Sequence, residues 1–496
     1  MLEISEADIQ ERMRLDNPWW DDHKIATDFG DMRRRAYFPA FAALVQETKV
    51  QRAVVLMGPR RVGKTVMIFH LVQKLLDGGV DPSDILYLSL DTPLYNRMPL
   101  EKLLGIFLKN FANKSDALKY VIYDEIQYLR NWEVHLKSLV DTYRRIRFVA
   151  SGSAAAALRM KSEESGAGRF TDFMLPPLSF SEYLDFRGLT TGLIQETTTV
   201  ENGDQAGGRY TTSNIEALNE VFTDYLTFGG YPELAISDNV QQNFQRYIRS
   251  DIIDSVLLRD LPSLYGIGDI QELNSLFTTL AYNTAQEVSL EALSKSANVA
   301  KNTLKRYLDY LEAAFLIKRV ERIDRTARRF QRTTSFKVYL TNPSIRAAMF
   351  GPVSAGDDAM GPLAETAIFA QWFHDYKNFD LRYARWDGGE IDIVYLNKGS
   401  QKPAWIVEVK WSDAPFERPS RLTSLVSFLE DHQDTVVQVP TVTTRTRQGT
   451  RKAAGYEIEF IPAALYCYAV GRNVVRRLTK SANTRLEPEL DLGDRF

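Results

Sequence analysis

Apolar residues recur in this chain in short bursts separated by amphipathic stretches, and the pattern changes twice along its length. Between residues 37 and 180 the bursts are RAVVLM, DILYLSL, KYVIYDE, IRFVASGS and FTDFMLPPL. Runs this short and this uniformly apolar predict strands buried on both faces of a mostly parallel sheet. The stretches between them, such as VMIFHLVQKLL, carry apolar residues at helical spacing and predict the covering helices. From SFSEYLDF the pattern is helical to residue 284, except for TGLIQETTTVENGDQAGGRYTTSN, whose Gly, Thr and polar content predicts a long loop. Residues 285–341 read as helix, turn, helix and strand, and residues 342–470 return to helices alternating with the apolar strands GGEIDIVYL and PAWIVEVKWS. The expected fold class is therefore α/β and multidomain. Its parts are an adaptor segment (1–36), a parallel-sheet core (37–180), a helical lid (181–284), a helix-turn-helix with a wing (285–341), a second α/β domain (342–470) and a tail (471–496).

Composition narrows the partners. A chain of 496 residues is too long for one core, and its charged fraction of 25% is ordinary. A formal net charge of −3 gives no global attraction to nucleic acid or anionic lipid, so any such contact must be local. The single cysteine, Cys467, excludes an intrachain disulfide, and the five histidines are scattered away from metal-ligand spacing. No signal-like segment opens the chain and no apolar run approaches the roughly 18 residues of a membrane span. A cytoplasmic protein without a membrane partner is expected. In the adaptor, the tryptophans of NPWWDD are expected to dock on the core, and Arg33, Arg34 and Arg35 to be solvated surface.

The clearest chemistry lies in GPRRVGKT, which follows one predicted strand and opens a helix. Gly58, Pro59, Arg60, Arg61, Val62 and Gly63 form a loop whose backbone N–H groups can curl around phosphate oxygens, with the glycines supplying angles closed to other residues. Lys64 then offers a point charge to the β- and γ-phosphates, and Thr65 a hydroxyl to Mg²⁺. The strand YVIYDE brings Asp124 as the second holder of that ion and Glu125 as the base for the attacking water. Ser151 or Ser153, ending IRFVASGS, would orient water near the γ-phosphate, or would simply form a turn. ATP with Mg²⁺ is the expected ligand, and ATP hydrolysis the expected reaction.

Two further patterns bear on partners. Lys301, Asn302, Lys305 and Arg306 fall on the outward face of the second helix of residues 285–341, and residues 318–337 hold eight basic and two acidic residues. Together they predict DNA contact, with docking of a protein partner as the alternative. In the last domain Asp392 lies inside one apolar strand, and Glu408 and Lys410 lie two residues apart on another. Buried carboxylates of that kind must pair or bind a cation. Asp392 and Glu408, with the carbonyl of Val409 and with Glu365 from a preceding helix, are expected to hold Mg²⁺ or Mn²⁺. Lys410 would activate water or stabilise phosphate charge. A surface ion pair between Glu408 and Lys410 is the plainer alternative. The pattern Glu365, Asp392 and Glu408-Val409-Lys410 is similar to that of the PD-(D/E)XK nucleases.

Taken with NPWW, YDEIQ, SGS followed by GRF and PLSFSEY, GGYPE, AET, GEIDIV and VEVK, the chain over residues 17–470 resembles a broad prokaryotic family. Its members combine an AAA+-like ATPase, a winged helix and a PD-(D/E)XK nuclease-like domain. The resemblance implies a prokaryotic cytosolic ATPase with Lys64, Thr65, Asp124 and Glu125 at the nucleotide site and Asp392, Glu408 and Lys410 in the nuclease-like core. Arg169, in GAGRF, is placed like the arginine finger of AAA+ ATPases, which reaches a neighbour's γ-phosphate and so implies a homo-oligomer. Pairing with a local carboxylate is the other expectation for it. The function expected is an ATP-dependent DNA-handling protein with a metal-dependent nuclease-like domain. The alternatives are a nucleotide-gated regulatory or scaffold protein whose nuclease-like domain is inactive, and a nuclease whose ATPase only gates assembly.

Overall fold

The computed structural model describes residues 5–96, 98–113, 116–152, 168–201, 204–329, 335–375 and 379–484. They divide into a first compact unit running to Leu175, which also takes in the chain from Leu478, and a second running from Pro176 to Arg477. No helix among the described residues is long and apolar enough to cross a membrane.

The first unit is built on five strands: β1 (Ala53–Met57), β2 (Ile85–Ser89), β3 (Lys119–Asp124), β4 (Ile146–Gly152) and β5 (Phe170–Met174). All pair in parallel in the order β2-β3-β4-β1-β5. β1, β3 and β4 are buried along their whole length, which is why they read as unbroken apolar runs. β4 lies between β1 and β3, so the loop after β1 and the carboxylates after β3 reach the same sheet end from either side of it.

The edge strand β2 is covered by the N-terminal segment. After the helix Glu6–Asp16, Asn17 pairs with β2 as another strand would. Its Nδ2 donates to the Tyr87 carbonyl at 2.9 Å and its Oδ1 accepts from the Tyr87 N–H at 2.7 Å. The indoles of Trp19 and Trp20 both donate to the Ile85 carbonyl, at 3.2 and 2.9 Å. The NPWW tryptophans therefore dock on the core. Arg33 and Arg34 are exposed, but Arg35 is not the solvated residue expected: it is buried and donates to the Val62 carbonyl at 2.6 Å.

In the second unit, the stretch expected to be a loop is an antiparallel hairpin, β6 (Gln195–Glu201) with β7 (Asp204–Thr211). Its threonines are β-branched strand formers, and the Asn-Gly pair between the two runs is a hairpin signal that the polar composition concealed. The segment after GGYPEL is helical, wound as π-helix over Tyr247–Asp254 and Val256–Asp260. Next come β8 (Glu287–Ser289), the helices Leu290–Ala297 and Lys301–Ala313 joined through Asn298 in the left-handed region, β9 (Ile317–Ile323) and β10 (Ser335–Leu340).

The remaining strands are β11 (Asp380–Trp386), β12 (Gly389–Leu396), β13 (Pro403–Glu408), β14 (Thr441–Thr444), β15 (Gly449–Ala453) and β16 (Tyr456–Pro462). They continue the same sheet. A single nine-stranded sheet runs β15-β16-β14-β13-β12-β11-β9-β10-β8, and β9 joins β11 in parallel through Arg322–Tyr383 and Ile323–Ala384. Strands from residues 285–341 and 342–470 thus share one hydrogen-bonded layer. One face of it packs Ile391, Val394, Ile406, Val442 and Phe460 against Leu425, Phe428 and Leu429 of the helix Thr423–His432.

Candidate functional site

β1 runs straight into the loop 58–63, and the helix Lys64–Asp77 leaves it. Gly58 has no room for a side chain, since a Cβ there would lie 2.2 Å from the Leu175 carbonyl oxygen. Gly63 caps the helix at φ +92°, in the left-handed region that favours glycine. Arg35 holds the loop from behind at Val62, while Arg61 is exposed and Arg60 half-buried. The Lys64 ammonium donates to the carbonyls of Gly58 and Pro59 at 3.1 and 2.9 Å, which places it inside the curl of the loop.

Asp124 is the centre of this site. Thr65 Oγ1 donates to Asp124 Oδ2 at 2.8 Å, and the Tyr87 hydroxyl donates to the same oxygen at 2.9 Å. Oδ1 accepts from the Ser151 hydroxyl and from the Glu125 N–H. Ser151 therefore orients the carboxylate, and Ser153 lies outside the described residues. Burial, and secondly the Glu125 carboxylate, pushes the Asp124 carboxyl above its usual range. A divalent cation beside Thr65 would supply the charge that reverses this. The donor set, a hydroxyl and a carboxylate at the mouth of a glycine-framed loop, fits Mg²⁺ and a polyphosphate.

Glu125 sits at φ +52°, an uncommon angle for a glutamate, which turns the chain out of β3. Its carboxylate accepts from Gln127 Nε2 at 2.5 Å and stays half-exposed. Arg169 precedes β5, at the sheet end opposite the loop, about 15 Å away by strand length. It pairs with Asp141, the local-carboxylate expectation.

The structure brings Glu365, Asp392, Glu408 and Lys410 together in the second unit and adds Lys337 to them. Ile393 pairs with Val407, so Asp392 and Glu408 are the next facing positions of β12 and β13. Lys410 Nζ lies 2.7 Å from Glu408 Oε1 and 3.4 Å from Asp392 Oδ2. Glu365, on the helix Met360–Ala370, faces them from outside the sheet. At the centre lies Lys337 of β10, 2.8 Å from Glu365 Oε1, 2.6 Å from Glu390 Oε1 and 3.2 Å from Asp392 Oδ1. The expected metal set of Glu365, Asp392 and Glu408 is thus bridged by ammonium groups. Val409 contributes its N–H to Asp392 at 2.9 Å, where its carbonyl was expected as a ligand. Among the described residues no three acidic, histidine or cysteine side chains are arranged to hold a metal ion.

These contacts set the protonation. Burial, then Asp392, pushes Glu365 up to about 7 and Glu408 up to about 8. Burial acts on Asp392 in the same direction, but Lys337, Lys410 and the Val409 N–H outweigh it and hold that carboxyl below its usual range. The sequence held a signal for Lys337. A lysine in the strand SFKVYL needs a buried partner as much as Asp392 does, but its place at the end of a basic run masks that need. Tyr87 in DILYLSL carried the same kind of signal, a buried hydroxyl in need of an acceptor.

That run is largely spent on ion pairs. Lys318 pairs with Glu312, Arg319 with Glu312 and Asp309, Arg322 with Glu287, Arg325 with Asp431 and Arg329 with Asp380. Lys301, Asn302, Lys305 and Arg306 are all exposed on their helix, whose apolar face is buried through Leu304, Tyr307, Leu308 and Leu311.

Comparison with known proteins matches residues 50–184 to an AAA domain and residues 219–355 to a domain of unknown function, DUF8612. An uncharacterised protein of Haemophilus influenzae is 23% identical over 356 residues, 71% of this chain and 81% of its own length. One from Methanocaldococcus jannaschii is 25% identical over 368 residues, 72% of this chain and 75% of its own. Among solved structures, the replication initiator DnaA bound to AMPPCP and single-stranded DNA aligns at 11% identity and a TM-score of 0.26, covering 56% of this chain and 87% of that one. The phosphate loop, its lysine and the Asp124–Glu125 pair all lie within residues 50–184, the stretch that matches the AAA domain.

Proposed function

We propose that this protein binds and hydrolyses ATP with Mg²⁺ and uses the nucleotide as a switch for partner binding. The observation that supports this most is the Thr65–Asp124 hydrogen bond, made between the helix that follows β1 and the last residue of β3 and braced by Tyr87 and Ser151. In this reading the loop N–H groups and Lys64 hold the β- and γ-phosphates. Thr65 and Asp124 would hold Mg²⁺, which would supply positive charge to the phosphates. Glu125 takes the proton of the attacking water at its carboxylate, and Gln127 orients it. Phosphate release from ATP, with fluorescent-nucleotide binding in parallel, tests this. Lys64→Ala should lose both binding and turnover, and Glu125→Gln should keep binding while turnover falls by about a hundredfold or more. Unchanged turnover in both variants would sink the reading.

The partner that the surface favours is DNA, met by the exposed face of Lys301, Asn302, Lys305 and Arg306 in a winged-helix role. One observation favours the scaffold reading of the C-terminal domain over metal-dependent cleavage at Asp392 and Glu408. Lys337 already occupies the space between the Glu365 and Asp392 carboxylates that a shared metal would need.

A further inference from the structure

The side chain of Lys337 is 3% exposed, so its ammonium must be compensated by protein groups. The compensation comes from two other elements: Glu365 from a helix, and Glu390 and Asp392 from β12, which is not adjacent to β10 in the sheet. Tyr339, two residues on and therefore on the same face of β10, donates its hydroxyl to Glu365 Oε1 at 2.6 Å. The Tyr383 ring lies 5.5 Å from the ammonium. Burial alone would discharge Lys337, but the Glu365, Glu390 and Asp392 carboxylates at 2.8, 2.6 and 3.2 Å oppose it and favour the ammonium form.

The oxygens of Asp392 are engaged by nitrogen. Oδ1 meets Lys337, and Oδ2 accepts from the Val409 N–H and Lys410. Glu408 shows what the arrangement leaves over: its Oε1 meets Lys410, while its Oε2 is buried with no hydrogen-bond donor among the described residues. Four carboxylates thus converge on two ammonium groups, and the inner one stands among Glu365, Glu390 and Asp392, where a divalent ion would have to sit to be shared by them.

We infer that Lys337 is the resident cation of this cluster and keeps divalent metal out, so that the same carboxylates become a divalent-ion site once its charge is removed. The inference is independent of the ATPase reading, because none of these residues belongs to the nucleotide site. A lysine is fixed covalently and carries one charge, so exchange with a metal requires both its withdrawal and the separation of its carboxylate contacts. Removing the charge leaves oxygen-rich, acidic surroundings of the kind hard divalent ions select.

The test is Mn²⁺ titration of the full-length protein without nucleotide, with free Mn²⁺ followed by electron paramagnetic resonance. Lys337→Met should gain one Mn²⁺ site, binding about tenfold tighter or more than anything in the unaltered protein, and Lys337→Met/Asp392→Asn should lose it again. Dependence on Asp392 separates this site from Thr65 and Asp124. A folded Lys337→Met that gains no site overturns the inference. Because loss of a buried partner endangers the fold, the unaltered protein is also melted in Mn²⁺ and in EDTA. Equal midpoints support the inference, and a Mn²⁺-dependent rise that Asp392→Asn abolishes overturns it.

Discussion

Asp392 and Glu408 face each other across β12 and β13, yet their environments move their protons in opposite directions. Asp392 lies between two ammonium groups and is held below its usual range, whereas Glu408, buried beside Asp392, is offset by Lys410 and more weakly by Lys337, and rises to about 8. This makes Glu408 a source of pH-dependent stability with a definite sign. Between 4.5, its ordinary value, and about 8, the folded protein holds a proton that the unfolded chain has lost. Unfolding is therefore progressively favoured as pH rises through that window, by up to about 1.4 kcal/mol per pH unit. Glu365, raised to about 7, acts in the same direction over a shorter range. Asp392 has the opposite sign, and its effect is felt only below its ordinary value of 3.8. Glu408→Gln should flatten the decline of unfolding free energy with pH, read from denaturant melts at several pH values across the window. An equally steep decline in the variant would show that Glu408 ionises normally in the fold.

At the scale of elements, the strand most in need of help is β2, which has a sheet neighbour on one side only. Asn17 supplies the other side with a single side chain that meets the Tyr87 N–H and carbonyl and also donates to the Met13 carbonyl at 2.7 Å. Asn17→Ala would orphan these groups in a buried position, at about 1–3 kcal/mol each. Denaturant unfolding should show a loss of about 3 kcal/mol or more, and a loss below about 0.5 kcal/mol would mean that the segment is not what closes the edge. The parallel strands were legible in the sequence because strands buried on both faces must be apolar throughout, and the phosphate loop because its backbone angles admit few residues. The roles of Asn17, Arg35, Tyr87 and Lys337 were not: a polar group in an apolar strand signals at most that Tyr87 and Lys337 need a partner, and each partner is distant in sequence, Val62 for Arg35, Asp124 for Tyr87, Glu365 and Asp392 for Lys337. The hairpin of β6 and β7 is hidden for a different reason: its polar composition reads as loop and masks the β-branching of its threonines and an Asn-Gly turn signal in the sequence.

At the scale of the whole molecule, charge is the property that sequence counting represents least well. A run with eight basic residues and two acidic ones looks like a phosphate-binding wing, yet Lys318, Arg319, Arg322, Arg325 and Arg329 answer carboxylates from other parts of the second unit, and Lys337 is buried. A nucleic acid recruiting these side chains would first have to break those pairs. Lys305 and Arg306 stand exposed on a helix whose other face is packed, and they are the better candidates for phosphate contact. Charge reversal at both, Lys305→Glu with Arg306→Glu, should weaken binding to duplex DNA by about tenfold or more and lower the magnitude of the salt slope by about 2, measured by fluorescence anisotropy over a salt series. Arg325→Ala, which frees Asp431 of its ion pair, should leave DNA affinity unchanged and cost only about 0.2–1 kcal/mol of stability, because that pair is partly exposed. The opposite result, affinity lost with Arg325 and kept without Lys305 and Arg306, would return the phosphate-binding role to the basic run. It would also require its ion pairs to open on contact with DNA. Absence of DNA affinity in the unaltered protein, with nucleotide-dependent assembly retained, would assign the exposed helix face to a protein partner.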